Sequence, residues 1–304
     1  MSVAPLPAPV PDSSFGPAVV SGEPVEVADR VVRVTAPNPS FMTGPGTNTY
    51  LVGAGDVVVI DPGPVIDAHI DVIERAAAGA DATIRWIAVT HHHLDHAPAA
   101  ARLAERTGAE LVAFGHDDGV DPDTAAVEGF VLAGPDFRLR ALHTPGHASD
   151  HLCWLLEEES ILFSGDHVMQ GSTVVIRPPD GNMADYLDNL TRLLDLDPAI
   201  AVIAPGHGRM IGDPAGVIAS IVRHRLEREE RVASALNDLG RGTVDELMGV
   251  VYADVVEPLL GVARFSLWAH LEKLATEGRA RLADPGVDDP SRSNETSTWE
   301  AVPG

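Results

Sequence analysis

Residues 90–96 read Thr-His-His-His-Leu-Asp-His and directly follow the apolar run Ile84–Val89. This run has the length and composition of a buried β-strand, so we expect the strand to carry the polar cluster at its carboxyl end. In an extended loop alternate side chains point the same way, which lets His91 and His93 converge on one cation. The stretch therefore predicts a metal site at the edge of a sheet.

Three further candidate ligands follow later apolar runs, each beside a glycine. His147 ends Thr-Pro-Gly-His, Asp166 ends Ser-Gly-Asp, and His207 stands in Pro-Gly-His-Gly. A strand that ends in this way exposes one polar side chain at a sheet edge. With Asp166 as a bridge, two sets of three side chains would hold two ions. The sets are His91, His93 and His147 for one ion, and Asp95, His96 and His207 for the other.

The residue types in these sets favour a hydrolase that binds two divalent ions. Mixed imidazole and carboxylate ligands suit zinc best, with manganese or iron as alternatives. Two such ions about 3.5–4 Å apart can share a water and lower its pKa from about 15.7 to roughly 7, so a metal-bridging hydroxide can attack at neutral pH. Asp95 is the predicted catalytic residue, because it could orient that hydroxide while ligation keeps its carboxylate ionised.

Other side chains near these motifs are expected to support the ligands. Asp61 ends the apolar strand Val57–Ile60, and we expect its carboxylate to hold the histidine loop, with ordinary turn chemistry as the alternative. For His167 we favour a packing or supporting role over proton donation to the substrate. His92 is expected to point away from the ions, and His151 is interpreted as structural.

The charge balance limits the kind of substrate. The chain of 304 residues has 21 Lys and Arg against 45 Asp and Glu, a formal net charge of −24. Such a surface repels nucleic acid and anionic membranes at long range, so a polyanionic substrate would need locally placed cations. Arg177 is a weak candidate for substrate contact for this reason, although an ordinary surface arginine is the simpler interpretation.

The sequence also bears on the compartment. No apolar run approaches the length of a membrane span, and residues 1–22 do not have the pattern of a secretory signal. The single cysteine, Cys153, cannot form an internal disulfide, which fits a reducing compartment. We therefore expect a cytoplasmic protein that does not bind membranes.

The order of predicted elements indicates two domains. Strands and helices alternate twice over residues 23–216, and each half ends a strand at a polar loop, which favours an α/β/β/α sandwich. Residues 217–283 carry three predicted helices, a capping box at Thr243 and a strand-like return, which predict a winged helix-turn-helix. Residues 1–22 are expected to be a flexible tail and 284–304 a disordered acidic tail.

The ordered series of potential ligands resembles the metallo-β-lactamase superfamily over almost the whole of residues 1–210. The series is His-x-His-x-Asp-His, followed by His147, Asp166 and His207. This resemblance implies an αββα fold with a dinuclear site at one edge of the sandwich. Nuclease members with an inserted domain between the last two ligands are excluded, because only a short segment separates them here.

Further stretches resemble the β-lactamase-like protein 2 group, in which a metallo-β-lactamase domain precedes a winged helix. They are Asn38-Pro39, Gly46–Leu51, Ile60–Gly63 and Ala263–Leu274. Animal members of this group act as endoribonucleases on single-stranded RNA, and fungal relatives act as thioesterases on carrier-bound polyketides. The resemblance therefore implies a hydrolase and leaves its substrate open.

Three functional hypotheses follow. Single-stranded RNA is one expected substrate, a small-molecule ester, thioester or lactone is the alternative, and a non-enzymatic nucleic-acid-binding regulator is the third. The complete ligand set argues against the regulator, because a pure binder has no use for two catalytic ions. Duplex DNA is not expected, since the third predicted helix sets Arg264, His270 and Lys273 against Glu272 and Glu277. The apolar residues of that helix need a partner, which permits a homodimer.

Overall fold

The structure is a computed structural model that describes residues 9–115, 119–283 and 289–302. Two seven-stranded sheets pack face to face, and a smaller helical unit with its own three-stranded sheet follows them. The described chain opens with the short strand β1 (Ser14–Phe15), which joins the second of the two large sheets.

The first large sheet takes consecutive strands from the N-terminal half of the chain. They are β2 (Pro24–Ala28), β3 (Val31–Thr35), β4 (Asn48–Val52), β5 (Asp56–Ile60), β6 (Thr83–Ala88), β7 (Glu110–Ala113) and β8 (Thr124–Ala125). Pairing is antiparallel from β2 to β5 and parallel from β5 to β8. Because β5 and β6 are parallel, the loops that follow them meet at one edge of the sheet.

The second large sheet has the order β1-β14-β13-β12-β11-β10-β9. Its other strands are β9 (Val131–Ala133), β10 (Arg138–His143), β11 (Leu152–Leu156), β12 (Ile161–Gly165), β13 (Val202–Pro205) and β14 (Met210–Ile211). The predicted hairpin between β11 and β12 is present, and β12 runs parallel to β13. Both of these parallel strands therefore end at the same edge.

Apolar residues form one layer between the large sheets and one on the outer face of each sheet. The rings of Tyr50 and Phe163 lie 5.1 Å apart in the inner layer. Helices α1 (Asp67–Gly79) and α2 (Ala99–Thr107) cover the first sheet, while α3 (Met183–Leu194) and the start of α4 (Pro214–Leu239) cover the second. Each large apolar side chain so buried contributes about 1.5–3 kcal/mol. The predicted α/β/β/α sandwich is confirmed.

The smaller unit is a winged helix, as predicted. It contains the end of α4, β15 (Arg241–Thr243), α5 (Val244–Val251), α6 (Glu257–Thr276), β16 (Ala280–Leu282), a 3-10 helix (Pro290–Arg292) and β17 (Thr298–Ala301). The predicted capping box begins α5, because the Glu246 carboxylate accepts the Thr243 N–H at 2.8 Å while Thr243 Oγ1 accepts the Glu246 N–H. Within the described ranges, no helix is both long and apolar enough to span a bilayer.

The prediction of a disordered tail over 284–304 is wrong for residues 289–302. Strand β17 is the central strand of the three-stranded sheet, between β15 and β16. Trp299 is completely buried in the winged-helix core. The prediction followed the acidic composition of the segment and did not account for Trp299, whose burial holds the strand in place. Residues 284–288 and 303–304 lie outside the described residues.

The prediction of a flexible tail over 1–22 is wrong for its described part, which begins at residue 9. Strand β1 pairs with β14, and the Arg209 guanidinium donates to the Gly16 carbonyl. Arg33 is also buried, and its guanidinium donates to the Ala18 carbonyl at 2.7 Å. Buried guanidinium groups require acceptors, and this segment supplies them. Residues 1–8 lie outside the described residues.

Helix α4 belongs to both units. Val217 and Ile221 pack in the outer layer of the second large sheet, whereas Val232 and Leu236 pack in the winged-helix core. The proposed boundary between 23–216 and 217–283 therefore cuts one continuous helix, and it stays a prediction. The shared helix ties the winged helix to the sandwich.

Candidate metal centre

The structure brings all seven predicted ligands together at one edge of the sandwich. Four stand on the loop after β6, and the other three follow β10, β12 and β13. Three groups of these side chains share members, and within each group the potential ligand atoms lie within 4.8 Å of one another. This spacing is close enough to hold a cation. These groups are His91, His93 and His147; His91, His96 and Asp166; and Asp95, His96 and His207.

The first cluster consists of three imidazoles. His93 Nδ1 lies 3.0 Å from His91 Nε2 and 3.0 Å from His147 Nε2. The other nitrogen of His147 donates to the Val175 carbonyl at 2.7 Å, which leaves a lone pair on Nε2. His91 Nδ1 lies 3.0 Å from Thr90 Oγ1. Three ring nitrogens therefore converge on one point, as a shared cation requires.

The second cluster joins two imidazoles to two carboxylates. His207 Nε2 lies 3.2 Å from Asp95 Oδ2 and 3.4 Å from Asp166 Oδ1. His96 Nε2 lies 3.5 Å from Asp95 Oδ2 and 3.4 Å from Asp166 Oδ1. This mixture of nitrogen and oxygen donors suits zinc, manganese or iron.

Asp166 stands between the clusters and presents one oxygen to each. Its Oδ1 faces His96 and His207, and its Oδ2 lies 3.6 Å from His147 Nε2. Asp166 Oδ1 and His96 Nε2 are both buried without a hydrogen-bond partner. Buried polar atoms almost always have partners, and cations at this edge would satisfy both atoms. The residues present therefore fit divalent ions.

Burial and neighbouring charges shift the pKa values of the clustered side chains in different directions. Burial lowers the pKa of His93 to about 4, so its ring is neutral, which is the form that binds metals. Burial opposes a charge on His207, but Asp166 and Asp95 outweigh it and raise the pKa of His207 to about 9. Burial likewise favours a protonated Asp95, yet His207 and His96 outweigh it and lower the pKa of Asp95 to about 2. In this structure the first cluster thus offers a neutral ring, whereas the second pairs a cationic ring with ionised carboxylates.

Asp61 makes the contacts that a loop-holding role requires. Its Oδ1 accepts the Thr90 N–H at 2.7 Å, and its Oδ2 accepts the Thr90 hydroxyl at 2.7 Å. The same Oδ2 lies 2.8 Å from His96 Nδ1, so that ring directs Nε2 towards the second cluster. One carboxylate therefore orients both the start of the histidine loop and a ring within it.

His151, interpreted from the sequence as structural, contacts the backbone of a predicted ligand. Its Nε2 accepts the Asp166 backbone N–H at 3.2 Å, and its Nδ1 lies 3.0 Å from Thr144 Oγ1. Gly165 makes this approach possible, because a Cβ there would lie 2.8 Å from His151 Nε2 and 2.7 Å from Thr90 Oγ1. The only signal in the sequence is a histidine four residues after His147, at the start of a strand.

His167 and His92 differ in their access to the site. His167 is completely buried, with its ring centroid 5.1 Å from that of Tyr186, and it does not line the cavity described below. Burial lowers the pKa of His167 to about 3. These observations favour packing over proton donation. His92 binds Asp150 through Nδ1 at 3.0 Å and through its backbone N–H at 2.9 Å, and it forms part of the cavity wall.

A cavity of about 730 Å³ opens over the two clusters. Its floor includes ligand residues, and its walls are mostly apolar side chains from both units. The sandwich supplies Phe41, Met42, Met169, Val174, Val175, Pro178 and Pro179, and helix α6 supplies Leu259, Val262, Phe265 and Trp268. The Ile176 N–H donates to Ser266 Oγ at 3.3 Å, which joins the wall segment of the sandwich to α6. The winged helix therefore forms one side of the site.

The charged groups around this cavity are mainly acidic. Arg177 is the one lysine or arginine among the described residues that line it. The carboxylates of Asp95, Asp166, Asp180 and Glu295 also line it. The lining therefore does not form a basic groove.

The fold and the site together define an αββα hydrolase with side-chain clusters that could hold metal ions and with an appended winged helix. A sequence profile of the metallo-beta-lactamase superfamily matches residues 42–207, and that of the beta-lactamase associated winged helix domain matches 243–285. The chain therefore belongs to the metallo-beta-lactamase superfamily.

Relatives and solved structures agree with this assignment. A beta-lactamase-like protein 2 homolog of Drosophila melanogaster is 32% identical over 281 residues, covering 84% of this chain and 91% of the relative. An atrochrysone carboxyl ACP thioesterase of Aspergillus chevalieri is 37% identical over 247 residues, covering 76% of each chain. The crystal structure of a beta-lactamase domain protein from Burkholderia ambifaria shares the fold, with a TM-score of 0.76, 21% identity and 95% coverage of both chains.

Proposed function

We propose that the chain is a dinuclear metal-dependent hydrolase of acyl esters or thioesters. The observation that carries the proposal is the cavity, which places apolar walls from two units directly over the two clusters. An acyl chain gains free energy by leaving water for such walls, at roughly 25 cal/mol per Å² of apolar surface. A relative whose name describes a carrier-protein thioesterase supports the same substrate class.

Single-stranded RNA stays an alternative that the cavity favours less. A strand of phosphates needs several cations along its path, whereas outside the predicted ligand set the described lining offers one guanidinium and two carboxylates. The formal net charge of −24 also opposes the approach of RNA. We therefore place the acyl substrate, the alternative in the sequence analysis, before single-stranded RNA.

A nucleic-acid-binding regulator is favoured least, because the cationic side chains of α6 already have partners. Lys273 Nζ lies 2.9 Å from a Glu229 carboxylate oxygen, and Arg264 lies 3.0 Å from Asp245. His270 is completely buried. A helix that reads duplex DNA presents exposed cations, and α6 instead turns apolar side chains towards the cavity. The predicted homodimer and cytoplasmic location stay predictions.

The proposed reaction uses the chain's own residues to hold and orient. His91, His93 and His147 would hold one ion, and Asp95, His96 and His207 a second. Two divalent ions, when bound, would supply a water of lowered pKa as nucleophile and polarise the carbonyl oxygen. Asp166 would span both sites, with His151 fixing its backbone, and Asp95 would accept a hydrogen bond from the nucleophile. The walls from α6 would hold the acyl chain and keep bulk water away.

A direct comparison of substrates tests the proposal. Metal-free protein would be supplied with Zn²⁺, and in parallel with Mn²⁺ or Fe²⁺, then incubated with an acyl thioester and with labelled single-stranded RNA. We expect thioester hydrolysis that is lost in Asp166→Ala and kept in Asp238→Ala, an exposed residue away from the cavity. RNA cleavage that depends on Asp166, without thioester hydrolysis, would contradict the proposal.

A further inference from the structure

Arg177 is an exposed residue of the cavity lining. Its guanidinium carbon lies 4.5 Å from the ring centroid of Phe265, on helix α6. A guanidinium stacked on an aromatic face is held in plane, and its N–H edge stays available for other partners. Arg177 and Phe265 both line the cavity that opens over the metal clusters. The pair therefore offers an oriented set of donors beside the proposed reaction site.

The guanidinium has no carboxylate partner within residues 9–115, 119–283 and 289–302, although the chain is strongly acidic. Two acids of the same cavity lining, Asp180 and Glu295, already have other partners. Asp180 Oδ1 accepts the Ser149 N–H at 2.9 Å and the Ser149 hydroxyl at 2.6 Å. Glu295 lies 3.6 Å from Arg264. An arginine that faces a substrate cavity without an internal acid is suited to bind an acid from outside.

We propose that Arg177 binds a free carboxylate on the acyl part of the substrate, so that the preferred substrates are acyl esters or thioesters with a second acidic end. This inference rests on the proposed acyl hydrolase function. Guanidinium and carboxylate groups form two parallel hydrogen bonds, and such charge-assisted pairs are about twice as strong as neutral ones. The stack on Phe265 would reduce the rotational freedom that Arg177 loses on binding.

The surroundings favour a carboxylate over a phosphate. One guanidinium balances a single negative charge, and Asp180 and Glu295, the lining carboxylates outside the predicted ligand set, repel any further negative charge. A phosphate monoester carries about 1.5–2 negative charges at neutral pH and would leave part of this charge unbalanced. A carboxylate also matches the planar fork of the guanidinium.

Pairs of substrates test the inference. Thioesters of N-acetylcysteamine would be compared at equal chain length: pentanoyl with glutaryl, hexanoyl with adipoyl, and octanoyl with suberoyl. In each pair only the chain end differs, a methyl group against a carboxylate, and the leaving group carries no phosphate. For the best-fitting length we expect kcat/KM to be about tenfold or more higher for the carboxylate member, chiefly through KM.

Variants assign this preference to the guanidinium. We expect Arg177→Met to reduce the ratio to about one or below, and Arg177→Lys, which keeps the charge without the fork, to give an intermediate ratio. Phe265→Leu should lower the ratio in part, because it removes the stacking surface and keeps the apolar wall. Arg102→Met is the matched control, since Arg102 pairs with Asp67 on the opposite outer face, and it should keep the wild-type ratio.

Four outcomes would contradict the inference or the function on which it rests. A wild-type preference for the methyl end at every length, or a ratio that survives Arg177→Met, would overturn the inference and leave the hydrolase function standing. The coenzyme A thioesters of the same acyl groups would be assayed in parallel, and a loss in Arg177→Met that affects only these would assign Arg177 to a leaving-group phosphate and overturn the inference too. If the wild type hydrolysed no thioester faster than Asp166→Ala does, the proposed function would be contradicted, and so would this inference.

Discussion

The two sides of the cavity are built in different ways. The metal side consists of strand ends from both large sheets of the sandwich, where short motifs place His91, His147 and Asp166 at one edge of the sandwich. The substrate side is assembled from two units, with Arg177 on a loop of the sandwich and Phe265 on α6 of the winged helix. The positions of the predicted metal ligands therefore follow from local sequence patterns, whereas the choice of substrate depends on packing between distant segments.

The largest expected effect comes from neutralising the shared carboxylate. Asp166→Asn keeps the volume of the side chain and removes a charge that faces both clusters. We expect activity to fall by more than about 100-fold, the upper range for residues that only orient ligands, together with loss of bound metal. Kinetics and elemental analysis would measure both. Asp238→Asn serves as the control. Full activity in Asp166→Asn would contradict the assignment of catalysis to the metal side of the cavity.

A smaller loss is expected from His151, which positions Asp166 without facing the cavity. His151→Leu leaves the Asp166 N–H without its acceptor, and we expect a loss of about 10- to 100-fold with weaker metal binding. His151→Gln can still accept this hydrogen bond and should restore part of the metal affinity. A metal titration followed by calorimetry would separate the two variants. Equal metal affinity in both would show that His151 only fills space.

Substitutions on the substrate side of the cavity should change KM and leave the metal content unchanged. Val262→Asp places a charge in the apolar wall contributed by α6. We expect KM for an octanoyl thioester to rise about tenfold, and KM for an acetyl thioester to rise less, because a short chain gains less from the wall. Metal content should match that of the wild type. An equal rise for both chain lengths would contradict a role of this wall in acyl binding.

The smallest effect is expected from the helix cap of the winged helix. Thr243→Ala removes the side chain that caps α5, and we expect the free energy of unfolding to fall by about 1 kcal/mol. Chemical denaturation would measure this change. Activity per folded molecule should stay within the range of the wild type, because Thr243 lies outside the cavity lining. A large loss of activity would show that the two units are coupled more tightly than this account holds.

The sandwich and the seven clustered residues could be predicted from the sequence because both depend on local sequence patterns. A polar residue follows an apolar run at each strand end, and a glycine accompanies His147, Asp166 and His207, so the common edge could be predicted. The role of His151 could not, since it depends on the backbone N–H of Asp166 on a neighbouring strand. Nor could β17 be predicted, because Trp299 is one apolar anchor within an acidic segment. The stack of Arg177 on Phe265 likewise requires knowledge of how the two units pack.

The central claim is that two ions share Asp166 beneath an acyl-binding cavity. Zinc titration of the metal-free wild-type chain, followed by calorimetry with parallel elemental analysis, tests this most directly. The account predicts two equivalents bound per chain, and fewer than two in Asp166→Asn under the same conditions. One equivalent or none in the wild type, or an unchanged stoichiometry in Asp166→Asn, would contradict it.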